Sequence, residues 1–71
     1  MLTKELIRKM VKEDQEALIK ILEKNIKQSN DCLLLIEQGH ISAEYMVEEL
    51  EIVNQSQSML TLIQEVMNER S

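Results

Sequence analysis

Apolar residues recur along this chain at spacings of three and four, the signature of amphipathic helix, and the pattern is interrupted twice. Leu2, Leu6, Ile7, Met10 and Val11 share one face of a short first segment, while Lys4, Glu5, Arg8, Lys9 and Lys12 share the other. This predicts a helix over about residues 3–12, with Thr3 as its cap. The charged run Lys12-Glu13-Asp14-Gln15 then puts Asp14 on a stripe that would otherwise continue from Ile7 and Val11 to Leu18 and Leu22. A break is expected there; the alternative is one continuous helix that overhangs its neighbour. Leu18, Ile21, Leu22, Ile26, Cys32, Leu33 and Ile36 form the inward stripe of a second helix, over about 14–38. A third is expected over about 43–69. There Met46, Leu50, Val53, Gln57, Leu60, Gln64 and Met67 alternate in steps of four and three, like a coiled-coil seam. Ile52, Met59, Ile63 and Val66 broaden that face.

Between the two long arms lies Glu37-Gln38-Gly39-His40-Ile41-Ser42. Gly39 is the only glycine, and glycine accepts the left-handed backbone that ends a helix without a Cβ penalty. His40 lies just past that helix end, where a cationic side chain suits the dipole. Ser42 reads as the N-cap of the next arm, with Ile41 and Met46 spaced as a hydrophobic staple and Glu44 in the first turn. A link this short predicts antiparallel neighbours. The fold class is therefore all-α: one small domain over residues 1–71, an antiparallel helical hairpin preceded by a short helix, with the turn at 39–42.

Composition adds an expectation about assembly. The 71 residues are 44% hydrophobic, nearly all aliphatic, with a single aromatic residue, no proline and one cysteine. A core of this size supplies little net stability and has no disulfide to help it. A homodimer or higher helical bundle is the expected remedy. The lone cysteine and the lack of a signal-like segment point to a reducing, cytoplasmic setting, and no apolar run reaches the length of a membrane span. Net charge is −5 but uneven: residues 1–30 carry seven basic against five acidic side chains, and residues 31–71 carry Arg70 against eight acids. An acidic second arm repels nucleic acid, which is not an expected partner.

Two surfaces stand out as candidates for binding another protein. One is the basic amphipathic face with Leu2, Leu6, Ile7, Met10 and Val11, which suits a membrane surface or an acidic partner; packing on the chain's own bundle or dimer mate is the favoured reading. The other is the apolar excess at Leu34 and Leu35, which exceeds a single stripe. The middle of each arm is polar: Asn25, Gln28, Ser29 and Asn30 in the first, Asn54, Gln55, Ser56, Gln57 and Ser58 in the second. Asn25, Gln28, Ser29, Asn54, Gln55 and Gln57 are candidates for a layer that fixes register or lines a ligand pocket, or they face water.

Candidate chemistry is sparse. Cys32 sits among leucines with no neighbouring base and reads as a small core hydrophobe. Glu37-x-x-His40 has the spacing of a di-metal bundle motif, but Gly39 ends the helix between its two residues. No phosphate loop or nucleophile–base set is present, so no catalytic residue, metal site or cofactor is expected, and the chain is read as a non-enzyme. Tyr45-Met46-Val47-Glu48-Glu49-Leu50, followed by Gln57-Ser58-Met59-Leu60, resembles the second helix of the CsoR-type copper- and sulfur-sensing repressors. The resemblance covers under half the chain. It implies, as an alternative, a ligand- or metal-responsive helical sensor. Met46 stands where that family has a metal-binding cysteine, and the family's other ligands and basic DNA-facing residues are missing. The leading expectation is a small helical regulator, adaptor or inhibitor that acts through helix surfaces.

Overall fold

In the computed structural model, which describes residues 2–69, three helices pack against one another and no strand occurs among the described residues. Helix α1 spans Lys4–Lys9, α2 spans Lys12–Glu37, and α3 spans Met46–Glu69 after a 3-10 turn at Ala43–Tyr45. The long helices α2 and α3 lie along each other, and α1 packs chiefly on α3.

Local chemistry explains each boundary. Thr3 Oγ1 accepts the Leu6 amide at 3.3 Å and starts α1. At the far end of α2, Gly39 has φ +83°. The His40 amide donates to the Leu35 carbonyl at 2.9 Å and the Gly39 amide to the Ile36 carbonyl at 3.0 Å, the paired bonds of a Schellman stop. It is the backbone of His40, with its side chain exposed, that serves this cap. Ser42 also caps where expected, its Oγ accepting the Glu44 amide at 3.4 Å, but the first turn after it is 3-10, so α3 proper begins at Met46.

The break between α1 and α2 differs from the sequence expectation. It falls at Met10 and Val11, both extended, rather than at Lys12–Asp14. The reason is a mismatch of stripes. The buried line of α2 is Gln15, Leu22, Ser29 and Ile36, one residue every seven. Seven residues further back on a continuous helix is Arg8, a cation that the seam would have to bury. Breaking the helix rotates the first segment and buries Ile7 instead, at 0% exposure. The break frees the Ile7 carbonyl, and Gln15 Nε2 donates to it at 2.7 Å. Gln15 is thus a core residue, not part of a solvated interruption, and Asp14 is exposed.

The core lies at the end away from the turn. Ile7, Leu22, Ile63 and Val66 form it, with Leu2, Leu18, Ile19, Met59, Leu60, Leu62 and Met67 packed around them. On α3 the buried residues are Ser56, Ile63 and Val66. The expected seam through Met46, Leu50, Val53, Gln57, Leu60, Gln64 and Met67 is therefore displaced: Gln57 and Gln64 are exposed, and Met46 and Leu50 retain 41% and 45% of their surface. The helix turns Ser56, Ile63 and Val66 toward its neighbours with Met59 beside them, while Ile52 of the same stripe stays 39% exposed. Ser29 and Ser56 are both buried, and small side chains there take up little of the space between α2 and α3.

Candidate functional site

An open groove of about 630 Å³ runs along one side of the α2–α3 seam. Leu18, Ile21, Asn25, Gln28 and Cys32 of α2 face Glu49, Ile52, Gln55 and Met59 of α3 across it, with Leu22, Ser29 and Ser56 at its floor. A second hollow of about 410 Å³ shares Gln55 and Met59 with it and is otherwise lined by Asn54, Ser58 and Leu62 of α3 and by Leu2, with no α2 residue. Helix α1 thus covers the α2–α3 pair at one end only, and the groove begins where α1 stops.

The way α1 is seated shows what the α3 wall holds. Lys4 Nζ lies 2.8 Å from Glu65 Oε2. Arg8 makes a two-pronged contact with Glu69: Nε donates to Oε2 at 3.0 Å and Nη2 to Oε1 at 2.9 Å. Both pairs are largely exposed and add orientation more than stability. Ile7, between the two cations, is driven into the core. The pairing runs upward on both helices, so α1 points in the same direction as α3.

Of the expected polar layer, the structure brings Asn25, Gln28, Ser29 and Gln55 to the groove. Asn54 lies in the adjoining hollow, and Gln57 faces away and is exposed. Glu49 and Cys32 complete the wall, and sequence patterning had singled out neither as a wall residue. Burial lifts the Cys32 thiol above its usual range, and the nearby Glu49 carboxylate adds to this by its charge and a hydrogen bond. The thiol therefore stays protonated, which accords with a packing role for this residue.

The expected partner-binding residues divide. Ile7 is fully buried and belongs to the core, and Leu2 and Met10 are half-buried. Leu6, Val11, Leu34 and Leu35 remain exposed. Leu34 and Leu35 have company at the turn end: Met46 and Leu50, which patterning had assigned to the seam, and Tyr45 and Val47 are exposed too. Among the described residues no three His, Cys, Asp or Glu side chains converge to hold a metal, and no helix is long and apolar enough to cross a membrane. Comparison with protein-family models, with curated proteins and with solved structures gives no match.

Proposed function

We propose that this chain is a non-enzymatic interaction module: a helical hairpin that pairs with a second copy of itself and leaves other helix surfaces for a protein partner. The observation that carries the reading is the displaced seam of α3. Met46, Leu50, Val53, Gln57, Leu60, Gln64 and Met67 keep the alternation of a coiled-coil seam, yet the chain's own core engages only Leu60 and Met67 of them and is centred on the neighbouring stripe. Met46 and Leu50 are exposed, and Val53, Leu60 and Met67 only half-buried. An apolar stripe at coiled-coil spacing is self-complementary across a two-fold axis, and Gln57 and Gln64 within it would set register.

The metal-responsive alternative has less support, since Met46 stands among aliphatic side chains with no assembled donor set among the described residues. The test is the solution mass by light scattering over a wide concentration range. The expected mass is twice the 8.3 kDa of one chain, falling to one chain in Leu50→Asp with helicity kept. A wild-type monomer at high concentration would remove the self-association reading.

A further inference from the structure

We propose that the open groove between α2 and α3 takes a basic amphipathic helix from a partner protein, bound as α1 is bound beside it. The inference rests on the interaction-module reading above and names the chemistry of the partner. The groove is the uncovered remainder of a three-helix arrangement. Where α1 is present, an apolar residue enters the seam and cations one turn apart reach acids on the outer rim of α3. Beyond Leu2 a hollow along α3 leads to Gln55 and Met59, which it shares with the α2–α3 groove, where Ile21 and Ile52 lie open.

The rim charge also continues. Glu51 precedes Glu69 by 18 residues, which is about five full helical turns, so both fall on the same rim of α3. Glu48 lies one turn before Glu51, on the groove side of that rim, and both are exposed. The opposite rim, on α2, presents Ala17, Ile21, Gln28 and Leu35, with the exposed Lys24 and Asp31 beside them, so it carries both signs and no net charge. An occupant is thus asked for apolar side chains toward α2 and lysine or arginine toward α3. That is the pattern of α1, with Ile7 inward and Lys4 and Arg8 toward α3. From Leu18 to Cys32 the α2 wall spans about 21 Å, the length of a helix of roughly four turns. Helix-in-groove recognition of this kind draws affinity from the apolar anchors, while the charges set orientation.

A synthetic peptide made of the segment 2–9 repeated twice in tandem is a direct probe, read by fluorescence anisotropy against the full chain. Binding is expected at low salt, weaker as salt rises, and lost in a peptide whose lysines and arginines are replaced by glutamate. Two variants place it. Ile52→Asp, a half-exposed wall position, should weaken binding at least tenfold, and Glu48→Lys/Glu51→Lys should weaken it similarly. Both should keep the wild-type circular dichroism and the wild-type solution mass. Binding that ignores both variants, or an acidic peptide that binds equally well, overturns the proposal. So does a loss of dimer mass in Ile52→Asp, which would make the groove an interface between copies. Failure of peptide binding with the dimer intact removes this inference alone. A monomeric wild type that still binds the peptide leaves it standing without the self-association reading.

Discussion

Gln15 ties the end of the first helix to α2. At 1% exposure it is more deeply buried than Leu22, and its amide supplies a donor to a carbonyl that the break at Met10 leaves without a helical partner. The Met10 amide also donates to that carbonyl, at 3.0 Å, so removing Gln15 weakens the satisfaction of Ile7 without abolishing it. Gln15→Leu keeps most of the volume and removes the polar contacts of the amide, the bond to Ile7 among them. We expect a loss of about 1 kcal/mol in urea unfolding, toward the low end for a buried polar group deprived of a partner. An unchanged midpoint would mean that solvent or another donor replaces the amide. Gly39 offers a cleaner case. A Cβ at this position would meet nothing within 4 Å, so Gly39→Ala is charged only with the left-handed backbone, about 1–2 kcal/mol. At Cys32, reaction with a disulfide reagent at mildly alkaline pH should be slower than for a free thiol and should quicken in Glu49→Gln, since that change removes one of the causes raising the thiol pKa.

Among the elements, the turn was readable because its determinants are local. One glycine, a serine cap and the flanking periodicity suffice, and the Schellman bonds around Gly39 fall where that chemistry places them. The break between α1 and α2 was readable only as a weak interruption, because nothing local enforces it. Val11 occupies the N-cap of α2 with no side-chain hydrogen bond, the poorest kind of cap. The break is imposed from outside, by the need to bury Ile7 rather than Arg8 on α3, and that need depends on contacts some 60 residues distant in sequence. The α3 seam was misassigned for a related reason. Two stripes with acceptable spacing lie side by side on that helix, and periodicity cannot say which faces α2; the burial of Ser56, Ile63 and Val66 shows which one does. The cap is also correctable. Val11 is exposed, with extended dihedrals suited to a cap, so Val11→Asp should raise stability by about 0.5–1 kcal/mol in thermal unfolding. A lowered melting temperature would show that the exposed valine is engaged in a contact.

For the molecule as a whole, the dimensions say how much surface is left unspent. The radius of gyration is 14.5 Å, against about 11 Å for a compact chain of this length. The accessible surface is 5312 Å², against roughly 4,600 Å² for a compact folded monomer of this mass. The excess belongs to a rod of 45 × 18 × 15 Å whose core is gathered at one end and whose other end is two helices thick. Its exposed aliphatic residues sit mainly on that thin half: Leu34, Leu35, Met46, Val47, Leu50 and Ile52. If a second copy covers the displaced α3 stripe, folding and pairing become one equilibrium, and the melting temperature must depend on concentration. For two chains of this size unfolding together, each tenfold rise in concentration should raise it by about 5 °C, as mass action is set against the unfolding entropy of the pair. Leu50→Asp should flatten that dependence as well as lower the melting temperature. A wild-type melting temperature that does not move over a hundredfold range would assign the whole apolar excess to partners other than self. The groove and the α3 stripe would then be two faces of one rod offered to a single larger protein.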